Sequence, residues 1–210
     1  MFQRRGVVPP HALNRRCSVA ILFTSDLHLG HQNILAMGRI QFNSIDEMDD
    51  LLISNWNKKV SPSDEIFIIG DFSYKSKHPV DHYLGKLTGR KHLIMGNHDY
   101  TWIKATPESL HFFESVDHMT LINVGKHLIT LCHYPMLEWN RSRYANDPKT
   151  STSWLIHGHI HDSTTLQSFH YIRDNLPCAL NAGVDINGFE PVPFEELIEN
   201  NCRWYQRSTQ

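Results

Sequence analysis

The stretch Val19-Ala-Ile-Leu-Phe-Thr-Ser-Asp-Leu-His28 joins a short apolar run to two side chains able to bind a metal. A run of this length, with no alternation of apolar and polar residues, predicts a strand buried on both faces. The arrangement returns four times. Glu65-Ile-Phe-Ile-Ile69 ends in Gly70-Asp71, and His92-Leu-Ile-Met95 ends in Gly96-Asn97-His98-Asp99. His127-Leu-Ile-Thr-Leu131 ends in Cys132-His133, and Trp154-Leu-Ile156 ends in His157-Gly158-His159.

Helical patterns lie between these runs. Ser44 with Glu47 three residues later forms a capping box, and Ile45, Met48, Leu52 and Trp56 follow on one helical face. Val80, Tyr83, Leu84 and Leu87 mark a shorter helix, and residues 193–198 a closing one after a further strand near Cys178 to Val184. Alternating strands and helices, with polar side chains at the carboxyl ends of strands, predict an α/β fold with its site at those ends.

The composition fits one globular domain: 210 residues, 40% hydrophobic, 20% charged, net charge -2. Such a balance argues against a broad basic face for nucleic acid, so no stable nucleic-acid partner is expected. No apolar run reaches the roughly 20 residues that cross a bilayer, so no membrane partner is expected. The four cysteines lack C-x-x-C spacing, which suits free thiols in a cytoplasmic setting. Cys132 adjoins His133 on a strand and should point away from it. Residues 1–17 carry four arginines without periodicity and read as a flexible extension, or alternatively as a targeting segment, ahead of a single domain over 18–210. The oligomeric state is not legible.

Histidine is over-represented, with 15 in the chain, and seven of them fall in the short polar motifs. Asp26, His28, Asp71, Asn97, His133, His157 and His159 offer carboxylate, imidazole and amide donors and no thiolate pair. That set suits Mn²⁺, Fe or Zn²⁺. Seven ligands exceed the needs of one ion and serve two divalent ions if a carboxylate bridges them. Two such ions can clamp both oxygens of an in-line displacement at phosphorus. His98, one residue past a ligand, is a candidate proton donor. His31 is a candidate substrate contact or ligand support, Asn97 a ligand and substrate contact together. His161 follows the pair with period two, so it either faces the same side or serves the surface. The long stretch from Met136 to Ser153 holds Arg141 and Arg143, read as substrate contacts against the plainer reading of a solvated loop.

The ordered set D-x-H, G-D, G-N-H-D, H and G-H-x-H is similar to the calcineurin-like metallophosphoesterase superfamily. Thr24 to His31, Asn33-Ile34, Trp56-Asn57, His133-Tyr-Pro135 and Asn181-Ala-Gly-Val-Asp185 resemble its small bacterial and phage members. The resemblance spans about Ile21 to Ile198. It implies a four-layer α/β/β/α sandwich in which Asp26, His28 and His159 hold one metal, Asn97, His133 and His157 the other, and Asp71 bridges. It also implies His98 as general acid and Asp99 as its support. Two departures stand out. Protein phosphatases of the superfamily read G-D-x-x-D-R-G where this chain has Gly70-Asp-Phe-Ser-Tyr-Lys75, which argues against a protein phosphatase. The small relatives often read R-P-F where this chain has Arg39-Ile-Gln-Phe42, which puts a phosphate contact by Arg39 in doubt. The expected activity is hydrolysis of phosphate esters, diesters before monoesters. A nuclease subunit or a scaffold without catalysis are the weaker alternatives.

Overall fold

Nine strands form two sheets in a computed structural model that describes residues 19–207. The expected extension over 1–17, and Cys17 with it, lies outside the described residues. Strands β1 (Ile21–Thr24), β2 (Glu65–Ile68), β3 (Arg90–Ile94) and β4 (Phe113–Asp117) run parallel, in the order β4-β3-β2-β1. The second sheet has the order β5-β6-β7-β8, from β5 (Met119–Val124), β6 (His127–Cys132), β7 (Ser153–His157) and β8 (Ala179–Asn181). In it β6, β7 and β8 are parallel and β5 pairs antiparallel with β6. The short β9 (Val192–Pro193) closes the first sheet antiparallel to β1.

The helices are α1 (Ile34–Met37), α2 (Ile45–Lys59), α3 (Val80–Leu84), α4 (Asp99–Ala105), α5 (Gln167–Asn175) and α6 (Phe194–Arg207). Side-chain alternation along the strands of the first sheet separates two cores. Leu22, Ile66, Ile68 and Leu93 point to one face and bury Met48, Leu52 and Trp56 of α2, Tyr83 of α3 and Trp102 of α4. Phe23, Phe67 and Ile94 point to the other and meet Ile129, Leu131 and Ile156 of the second sheet. Phe169 and Ile172 of α5, with Leu197 and Trp204 of α6, join that second core. The order is helix, sheet, sheet, helix, as the resemblance implies.

All five apolar runs form strands, and each has buried residues at its centre. Cys132 is half-buried against the second core, on the strand face opposite to that of its neighbour Leu131. Cys132, Cys178 and Cys202 are free. None of the described helices is long and apolar enough to cross a membrane. The pair β4 and β5 and the helix α5 were not expected. Met119–Val124 alternates between exposed and half-buried residues at a sheet edge, and α5 has only Phe169 and Ile172 buried, so neither carries a strong apolar signal.

The expected capping box is present in a shifted form. Ser44 Oγ accepts from the Glu47 backbone N–H at 3.1 Å, while Glu47 Oε2 accepts from the backbone N–H of Asn43, one residue earlier than usual, at 2.8 Å. Ser44 is exposed, so its replacement disturbs little else. Urea unfolding of Ser44→Ala should show a loss of about 0.5–2 kcal/mol, and an unchanged midpoint would mean that the cap does not hold α2.

Candidate metal centre

The ends of β1, β2 and β7 turn sharply through left-handed backbone. Asp26 (φ 55°), His28 (φ 53°), Asp71 (φ 55°), His159 (φ 73°) and His161 (φ 50°) are five of the eight non-glycine residues in that region among those described. Asp and His tolerate it better than most side chains, yet it costs free energy, and such strain concentrates at functional sites. The turns aim the side chains inward above the sheet ends. Two glycines clear the space: a Cβ on Gly96 would collide with Asp71 Oδ1, and one on Gly158 with Ser25 and Asp26 Oδ2.

Asp71 stands at the middle of the site and is buried. Its Oδ1 accepts from the His98 backbone N–H at 2.9 Å. Its Oδ2 faces the Nε2 atoms of His133, His28 and His98 at 3.6, 3.7 and 3.8 Å. Those gaps are too wide for hydrogen bonds and suit a cation drawing on both sides. Burial pushes the Asp71 carboxyl above its usual range, against the pull of His133, with Asp26 adding to the rise. Asp26, fully buried, accepts from Ser25 Oγ at 2.7 Å and from the His159 backbone N–H at 3.0 and 3.2 Å.

The histidines divide into two groups. His28 and His161 stack at 5.0 Å between ring centroids, with His161 Nε2 at 3.8 Å from Asp26 Oδ1. Asp26, His28 and His161 place one ligand atom each within 4.8 Å of one another, as do Asp26, Asp71 and His133. On the other side, His133 Nε2 and His159 Nδ1 lie 3.2 and 3.1 Å from Asn97 Oδ1. His133 Nδ1 donates to the Ile69 carbonyl at 2.9 Å, which leaves Nε2 free to ligate. Both ring nitrogens of His28 are buried with no hydrogen-bond partner among the described residues. Orphaned imidazoles beside buried carboxylates fit a metal centre, and burial, then the neighbouring His161, holds His28 well below the usual histidine range, in its ligating neutral form.

The geometry differs from the expected arrangement at one motif. His157 is still in β7, with Nδ1 donating to the Gly158 carbonyl at 2.9 Å and Nε2 buried without a hydrogen-bond partner among the described residues, and it is not in the group that Asp26 and His28 form with His161. Burial lowers it to about 4. His159 lies at Asn97 and His161 at Asp26, because the turn beginning at Gly158 re-aims the chain. His159 accordingly sits with Asn97 and His133 rather than with Asp26 and His28.

Asp99 also differs from expectation. Its carboxylate accepts from the backbone N–H groups of Asp71, Phe72 and Gly96 at 2.9, 2.9 and 2.8 Å and from Trp102 Nε1 at 2.8 Å. No bond to the His98 imidazole is among them, so Asp99 ties the Asp71 loop to the Asn97 loop instead of supporting that ring. His98 stands at the mouth, on the Tyr74 ring at 4.0 Å. His31 is buried within 5.3 Å of His28, centroid to centroid, and its loop is held by Asp49, whose two oxygens accept from the Gly30 N–H at 3.1 and 3.0 Å.

Arg141 and Arg143 are not brought to the centre. Both are exposed and line a surface cavity of about 360 Å³ that no candidate ligand borders, with Arg143 over the Tyr144 ring. Arg39 is buried, not placed for substrate: it donates to the Asp185 carboxylate at 2.7 and 3.1 Å and to the Leu27 carbonyl at 2.8 Å. Tyr134, 4.9 Å from the His159 ring, was not singled out as a site residue, and its place after a ligand was the available signal. His161→Ala should lower the Mn²⁺ bound per chain by elemental analysis, whereas His157→Leu should leave bound metal unchanged and alter only thermal stability. The reverse outcome would return His157 to the ligand set.

Residues 19–183 match the calcineurin-like phosphoesterase superfamily domain. The chain is 31% identical over 183 residues to the gene 66 protein of Mycobacterium phage L5, covering 76% of this chain and 86% of that protein. It is 25% identical over 181 residues to the protein MJ1445 of Methanocaldococcus jannaschii, covering 85% and 89%. The crystal structure of AQ665 from Aquifex aeolicus, described as a protein of unknown function, superposes with a TM-score of 0.65 at 27% identity, over 87% of this chain and 99% of that one. The match over most of the folded chain, together with the converging ligand groups, shows that this protein belongs to the calcineurin-like phosphoesterase superfamily.

Proposed function

We propose that the protein is a dinuclear metal-dependent phosphodiesterase. The observation that carries the reading is Asp71 Oδ2, buried and facing three imidazole nitrogens at 3.6 to 3.8 Å. Asp26, His28 and His161 would hold one ion and Asn97, His133 and His159 the other, with Asp71 shared. The hard oxygen and imidazole donors suit Mn²⁺ first, with Fe or Zn²⁺ possible. A pair of divalent cations bound there supplies Lewis acidity and acidifies water at neutral pH.

The chain's own residues do the rest. His98 stands at the mouth of the site, half-exposed, with Nε2 oriented across Asp71, so that its imidazolium can donate a proton to a leaving alkoxide. His31, against His28 and Tyr74, closes the same side and is a candidate contact for a substrate oxygen. The placement of the arginines favours a diester over a monoester. Arg39 is committed to Asp185 and to main-chain carbonyls, and Arg141 and Arg143 lie elsewhere, so the arginines of these segments add no positive charge for the second negative charge of a phosphomonoester. The three cysteines among the described residues are free thiols, which fits a reducing setting.

Metal-stripped protein should regain diesterase activity with Mn²⁺, and elemental analysis should find two ions per chain. A single tightly held ion with full turnover would refute the dinuclear reading. Asp71→Asn should lower both metal occupancy and rate, since an amide offers no charge to two cations. His98→Ala should keep its metals and lose about 10²–10⁴-fold in turnover on a nucleoside or alkyl diester, with a smaller loss on a nitrophenyl ester. Equal losses on both esters with an ion missing would make His98 a ligand.

A further inference from the structure

Asp185 lies outside every ligand motif, yet it is almost fully buried beside the centre. Its two oxygens are shared between two partners. Oδ1 and Oδ2 accept from Arg39 Nε at 2.7 Å and Nη2 at 3.1 Å, the bidentate fork that an arginine makes with a carboxylate. Oδ2 also accepts from His161 Nδ1 at 3.0 Å. The bond to Nδ1 selects the tautomer that leaves His161 Nε2 with its lone pair, aimed toward Asp26 Oδ1. The same guanidinium reaches back along the first strand end. It donates from Nη1 to the Leu27 carbonyl and from Nη2 to the Asp26 carbonyl, inside the strained turn that carries Asp26 and His28.

We propose that the buried Arg39–Asp185 pair is a positioning device for the Asp26, His28 and His161 half of the centre, setting the affinity of that half for its ion. The two segments are 146 residues apart in the chain, and the pair ties them together beside the bond from the Val184 N–H to the Ser25 carbonyl. A buried ion pair is weak evidence for stability as such, because desolvation offsets much of the attraction. Here each partner has further bonds that lead directly to candidate ligands, so its effect falls on one half of the site. His133, by contrast, takes its orientation from the Ile69 carbonyl, independently of Asp185.

The inference rests on the dinuclear reading above, and one experiment separates the two. Metal-free full-length protein is titrated calorimetrically with Mn²⁺, using wild type, His161→Ala, His133→Ala and Asp185→Asn. The first two variants identify which binding event belongs to which half. Asp185→Asn is nearly isosteric and removes the charge that raises the basicity of His161. It should weaken the event lost in His161→Ala by about 10–100-fold and leave the event lost in His133→Ala unchanged. Weakening of both events alike, or of neither, would overturn the positioning role. If circular dichroism shows Asp185→Asn unfolded, Arg39→Lys carries the test: it keeps the charge, loses the fork, and should weaken the same event. A single event in the wild type would refute the dinuclear reading, whereas two events with an unaltered variant would refute only the role of the pair.

Discussion

Asp26 and Asp71 are carboxylates buried at the ends of neighbouring parallel strands, each with an oxygen within 4.8 Å of the other and of a His133 nitrogen. Two negative charges taken out of water so close together are costly unless a cation lies among them. Much of the surrounding architecture serves to hold them there. Gly96 and Gly158 leave room for their oxygens, Ser25 Oγ and the His159 and His98 backbone N–H groups satisfy part of their bonding capacity, and the strand ends turn through left-handed backbone to aim them inward. What these donors leave open is the space that Asp71 shares with three imidazoles.

Two further carboxylates work behind the first pair. Asp99 gathers three backbone N–H groups and the Trp102 indole, so the loops after β2 and β3 move as one body. Burial pushes its carboxyl up to about 6 against the effect of those bonds. Asp185 does the corresponding work between the loop after β1 and the turn after β7, through Arg39 and His161. The hydrogen bond from His161 and the charge of Arg39 hold it well below the carboxylate range despite burial. Each half of the centre thus has its own clamp, and the two halves meet at Asp71.

The strands were legible because each buried run stops where polar side chains begin, which is also what makes the ligands legible. The turn after β7 was not. Reading His157 and His159 as the pair puts Gly158 between two ligands, whereas Gly158 starts a turn with His159 and His161 at positive φ. The motif G-H-x-H, begun at Gly158, contains the pair that this turn brings to Asn97 and to Asp26. Arg39 and Asp185 were beyond reach for a different reason, since nothing in one sequence joins residues so far apart. Arg141 and Arg143 show the limit of reading charge without direction: a long loop says that they are present and not where they point. The edge strands β4 and β5 lacked the apolar run on which strand recognition rested.

The central claim is that two ions share Asp71, with His161 rather than His159 completing the first half and His159 rather than His157 the second. Anomalous diffraction at the manganese edge, from crystals grown with Mn²⁺, tests it most directly. The account predicts two anomalous peaks flanking the Asp71 carboxylate, one against Asp26, His28 and His161 and the other against Asn97, His133 and His159. A single peak, or a peak coordinated by His157 with His161 turned away, would contradict it.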